Sequence, residues 1–146
     1  MSLKLSTGLR NKLLDTGSLK SIFAAGFIKI YSGSAPADAD AAVTGTLLCT
    51  ISISGGGTGI NFDTTAVGGV LSKLGSETWS GTNAATGTAT YYRHVAAGDD
   101  GTSSTTQARI QGTVGVVGAD MNLSSVSLVS GNPQTIDYYA MTLPAA

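Results

Sequence analysis

The stretch TYYRHVAAGDDG, residues 90–101, sets the only histidine of the chain, His94, beside Arg93, two tyrosines and the carboxylate pair Asp99 and Asp100. Hydroxyls, an imidazole and a carboxylate are the parts of a nucleophilic hydrolase, in which Ser or Thr attacks, the ring takes its proton and the acid orients the ring. The residue types are present and the motif is not. No G-x-S-x-G elbow occurs, and a turn of small residues separates His94 from both aspartates. Strand alternation puts Tyr92 and His94 on the side of Thr88 and Thr90, the solvated side. The expectation is therefore an exposed strand histidine in a chain that is not an enzyme.

Other chemistries find less to work with. Zinc wants about four Cys or His ligands, and the chain has one of each. Asp38 with Asp40, or Asp99 with Asp100, could each offer a calcium ion two oxygens. Neither pair belongs to the spaced run of carboxylates of a calcium loop, so both read as solvated turns, and no metal or cofactor is expected. The glycine-rich SGGGTGINF has no Lys-Ser/Thr ending and leads into a strand, which excludes a phosphate-cradling loop. Cys49 lies in the apolar run TLLCTISI and reads as a buried, inert thiol. Trp79 reads as a core anchor.

The elements that would hold these residues divide the chain in two. In residues 1–26, Leu5, Leu9 and Leu13 recur at the spacing of one helical face, with Leu14 widening it. Thr16-Gly17 closes that helix, Ser18 caps a second one carrying Leu19, Ile22 and Phe23, and Gly26 ends it. From Phe27 to residue 146 the period is two. FIKIY (27–31), TLLCTISI (46–53), GINF (59–62), GVLSKL (69–74), SETWSG (76–81), TATYYRHV (88–95), ARIQGTVGVV (108–117), ADMNLSS (119–125), SVSLVS (125–130) and QTIDYYAMTLP (134–144) are candidate strands separated by Gly, Ser, Asp and Pro clusters. In ARIQGTVGVV the alternation sends Ala108, Ile110, Val114 and Val116 inward, and Arg109, Gln111 and Thr113 outward. Many short strands without intervening helices predict an all-β fold, an antiparallel β-sandwich or jelly-roll-like domain over 27–146, with a short helical N-terminal arm over 1–26.

Charge is distributed as unevenly as periodicity. Charged residues are 12% of the 146, about half the usual share. Residues 1–30 hold five bases against Asp15, a net +4, which leaves −5 on the other 116 residues of a chain whose total is −1. With only Lys73, Arg93 and Arg109 beyond residue 30, the body has no basic stripe for nucleic acid. No apolar run reaches about 18 residues, so no membrane span is expected. The first residues mix charge with leucine and lack the unbroken apolar core of a signal peptide. A basic arm on an acidic body suits docking on a negatively charged protein surface, with Lys4, Arg10, Lys12 and Lys20 as the contact residues. Because the arm's helices are too short to stand alone, deleting residues 1–25 is expected to weaken assembly more than folding.

Three stretches, LSTGLRNKLL, IKIYSGSAPADADAAVTGTLLCTI and the C-terminal run from ARIQGTVG through GADMNLSS to SGNPQTIDYYAMTLPA, together resemble a group of small virion structural proteins of tailed bacteriophages. The likeness spans nearly the whole chain, and IYSGSAPADADAAVTGTLL is its most specific part. What it implies is a non-enzymatic structural protein, most simply a capsid decoration (cement) protein made in the host cytoplasm and located on the phage head. The partners implied are the major capsid protein and further copies of the chain, a trimer being favoured. A tail-associated role in tube, baseplate or fibre is the alternative.

Overall fold

Ser6 organises the beginning of the chain. Its Oγ accepts from the Leu9 amide at 3.1 Å and so caps α1, Thr7–Asp15. The same oxygen accepts from the Arg109 amide at 2.9 Å and donates to the Gln107 carbonyl at 2.8 Å, tying the cap to a distant strand. Just before it, Lys4–Leu5 forms the short strand β1. Leu5 therefore lies on a strand and not on the helical stripe, because the cap starts the helix two residues later. A second helix, α2 (Leu19–Ile22), carries the Ser18 cap expected of it, reinforced by Ser21 in a reciprocal capping box. The left-handed turn after α2 falls on Ala25, at φ 58°, rather than on Gly26.

The computed structural model describes residues 3–145; the outermost residues of the expected arm and β domain, 1, 2 and 146, lie outside it. Strands follow as β2 (Phe27–Tyr31), β3 (Leu47–Ile53), β4 (Val70–Ser72), β5 (Trp79–Thr82), β6 (Gly87–Thr88), β7 (Tyr91–Val95), β8 (Arg109–Gly115), β9 (Met121–Asn122), β10 (Ser127–Leu128), β11 (Pro133–Ile136) and β12 (Ala140–Thr142). The fold is all-β, antiparallel and sandwich-like. Its main sheet runs β1-β8-β7-β2-β3-β5-β11, with β9 adding a parallel pair to β8, and two ribbons, β6·β10 and β4·β12, stand apart. Pro133 begins β11 at one sheet edge, where a missing N–H does no harm. The expected GINF strand is reduced to isolated bridges from Ile60 to Gly26 and from Phe62 to Lys73.

Both faces of the central strands are covered, and this overturns the solvated side read from alternation. On one face, register aligns Ile28 with Ile51 and His94, and His94 with Ile110. Phe23, Phe62 and Tyr139 close over the imidazole at centroid distances of 4.5, 5.5 and 5.4 Å. His94 is thus a core residue, as are Tyr92 and Trp79. Its Nδ1 lies 3.0 Å from the Tyr139 hydroxyl, while Nε2 is buried with no partner among the described residues. Cys49 packs in the same core, where burial pushes its thiol up to about 11.

On the other face Arg93, Arg109 and Gln111 are buried beneath the segment 33–45, which supplies the polar partners that water would have given. Arg93 Nη2 donates to the Asp38 and Ala41 carbonyls at 3.2 and 2.7 Å; Gln111 Nε2 donates to the Pro36 carbonyl at 2.9 Å. Arg109 donates to the Ala39 and Asp40 carbonyls and makes a two-pronged pair with Asp99, Nε to Oδ2 at 2.5 Å and Nη2 to Oδ1 at 2.8 Å. The outward assignment of Arg109 and Gln111 fails because a long loop covers them. The inward one of Val116 fails because β8 ends at Gly115, leaving Val116 exposed.

The aspartates expected as free turn residues divide. Asp99 is a buried partner of Arg109. Asp100 stays exposed and accepts from the Thr102 amide and hydroxyl. Asp38 accepts from the Ala41 amide, and Asp40 receives both the amide and the hydroxyl of Thr7. Among the described residues no group of three or more His, Cys, Asp or Glu is placed to hold a metal ion.

Burial has a pH consequence. Desolvation holds the His94 imidazole down at about 3, against 6.5 when exposed. An unfolded chain takes up this proton as pH falls below 6.5 and the folded one does not until about 3, so acid in this window favours unfolding. The contribution is present above 6.5 and is lost by up to about 1.4 kcal/mol per pH unit on the way down. Urea unfolding at pH 7, 5.5 and 4 is expected to show a steeper acid loss in the wild type than in His94→Phe; equal slopes would contradict a buried neutral imidazole.

Candidate docking surface

The arm residues named from sequence are fixed more firmly than a free arm would hold them. Lys4 pairs opposite Gln111 in β1·β8, and its Nζ donates to the Ala37 carbonyl at 2.8 Å. Lys20 Nζ donates to the Thr64 carbonyl at 2.9 Å, and Arg10 Nη2 to the Thr7 hydroxyl at 2.9 Å. Lys12 sits in the last turn of α1, where a cation complements the helix dipole. Gly8 lets α1 lie directly on the body: a Cβ there would come within 2.4 Å of the Thr106 backbone. Burial raises the Asp40 carboxyl, but its two hydrogen bonds from Thr7 outweigh that and hold it below the usual range.

The four bases do not converge on one point. Leu9 is buried against the core, and Leu13 faces a groove beside it. Arg10 and Leu14, one turn apart, share a different side of α1 that points to solvent, Leu14 being 87% exposed. Lys20 alone of the four lines the groove.

That groove has a volume of about 470 Å³ and walls of Leu3, Leu5, Leu13, Leu19, Leu71 and Leu143, with Lys20 as its one charged residue among those described. Leu143 is 83% exposed and Val67, in the neighbouring turn, 75%. Next to it lies a second groove of about 710 Å³ with a mixed lining that includes Asp120, Asn122, Gln134, Asp137 and Tyr138 and, among the described residues, no base. Leu3, Met141 and Thr142 line both grooves, so the two are halves of one surface divided by β12. Asp120 is steadied by Thr113, whose amide and hydroxyl both reach Oδ2.

A contiguous groove walled by leucines, several of them exposed, is a candidate contact site. Sequence reading missed Val67, Asp120, Asp137, Tyr138 and Leu143. Val67 falls outside any apolar period, and Leu143 ends a candidate strand whose partner the sequence does not name; the β4·β12 pairing, which puts Thr142 opposite Val70, brings them to the arm. The available signal was LKL at residues 3–5, an alternation typical of a strand rather than a helix.

No family model matches the chain, and no curated protein or solved structure matches it either.

Proposed function

We propose that this chain is a virion structural protein of a tailed bacteriophage, a capsid decoration protein that binds the outer surface of the head and reinforces the shell. The observation that carries the reading is the outer ridge of α1: an exposed leucine beside an exposed arginine on a helix clamped to a β body by Ser6, Thr7 and Gly8. A clamped ridge meets a shell without having to be ordered first, which lowers the entropic penalty of docking. The arm's net positive charge adds attraction to an acidic shell surface.

Purified particles provide the test. Hundreds of copies on the head, removed by the double substitution R10E/L14S, are expected; tens of copies along the tail would replace this reading with a tail-associated one. Binding of the isolated protein to shells is also expected to fall as salt rises from about 0.1 M to 1 M, because exposed charge pairs are screened over that range.

A further inference from the structure

We propose that the two-part groove is a self-complementary contact, through which a second copy of this chain docks about a two-fold axis. Three observations lead there. Among the described residues the apolar half carries a base, Lys20, and no acid, whereas the mixed half carries two acids, Asp120 and Asp137, and no base. The halves are adjacent on one surface and share Leu3, Met141 and Thr142. Exposed apolar side chains stand on both, Leu143 on one and Tyr138, 78% exposed, on the other.

A two-fold axis through the shared strip turns the second copy so that its acidic half faces the first copy's Lys20 half, and the reverse. In a two-fold interface each residue pair occurs twice, so one favourable match is doubled. The pairing would set Lys20 of each copy against the acidic half of the other and would cover Leu143 and Tyr138 from water. Other occupants fit less well. A uniformly acidic segment is repelled by the Asp half, and a uniformly basic one by Lys20. A heterologous ring would need the matching halves on separate surfaces. The inference does not depend on where in a particle the protein sits.

Sedimentation of the full chain over a concentration series tests it, using K20E, D137K and an equimolar mixture of the two. The wild type is expected to dimerise. Each single variant creates two like-charge contacts in its homodimer, and its dimer is expected to weaken at least about tenfold. In the mixture Glu meets Lys at one contact and Lys meets Asp at the other, so a heterodimer is expected to form about as tightly as the wild-type dimer. Far-ultraviolet circular dichroism confirms that both variants are folded. A wild type that stays monomeric, or a trimer unaffected by either variant, would overturn the pairing while leaving shell binding intact. Folded single variants that fail to associate on mixing would overturn it too.

Discussion

Asp99→Asn is expected to remove about 3–5 kcal/mol of stability, because it leaves the Arg109 guanidinium charged, fully buried and without its counter-ion. Arg109 keeps its carbonyl partners Ala39, Asp40 and Thr102, and neutral carbonyls do not replace a carboxylate that meets it at two points. The lost charge is felt by the loop as well as by the strand, since the same guanidinium anchors segment 33–45 to β8. Thermal unfolding should show a fall of roughly 10 °C for a chain of this size. Arg109→Met is expected to be comparably harmful, as it strands the Asp99 carboxylate. The double variant should be less destabilised than the sum of the singles, with a coupling of about 1–3 kcal/mol. Additive effects would mean that the pair does not act as a unit. A change within about 0.5 kcal/mol for Asp99→Asn would mean that the site is solvated.

Deleting residues 1–25 is expected to abolish folding, which reverses the order anticipated from sequence. The deletion removes Leu9 and Phe23, both fully buried in the core, along with β1 and the Ser6 hydrogen bonds to Gln107 and Arg109. Each large side chain alone is worth about 2–5 kcal/mol on truncation to Ala, and total stability for a domain is only about 5–15 kcal/mol. Proton NMR of the truncated chain should lack the dispersion of a folded β protein. Native dispersion would restore the picture of a detachable arm. Two point variants give the graded version: Leu9→Ala is expected to lose about 2–5 kcal/mol, whereas Leu14→Ala on the exposed ridge should stay within about 0.5 kcal/mol.

The arm shows where sequence reading reached its limit. Its helices, the Ser18 cap and its charge were visible locally, because a Ser cap and an i, i+4 leucine spacing act over a few residues. Its attachment was not visible, because that depends on Gly8 meeting Thr106 and on Ser6 meeting Arg109, about a hundred positions away. Of the four bases expected to make contacts, Lys4 and Lys20 donate to carbonyls of the body and Arg10 to the Thr7 hydroxyl, ties that only the folded chain sets up.

His94 and Arg109 show the same division in the sheet. Alternation correctly marked β2, β3, β7 and β8, because side chains point to opposite faces of any strand regardless of context. It could not say that both faces are covered. Burial of His94 requires Phe23, Phe62 and Tyr139 from three separate parts of the chain, and burial of Arg109 requires the 33–45 loop to turn its carbonyls inward. The sequence by itself determined the all-β class, most of the strand positions, the two short helices with the Ser18 cap, and the uneven charge, since each arises from neighbours along the backbone. Only the tertiary structure decided which polar residues lie inside and which leucines remain outside, because burial is set by contacts between residues that are distant in the chain.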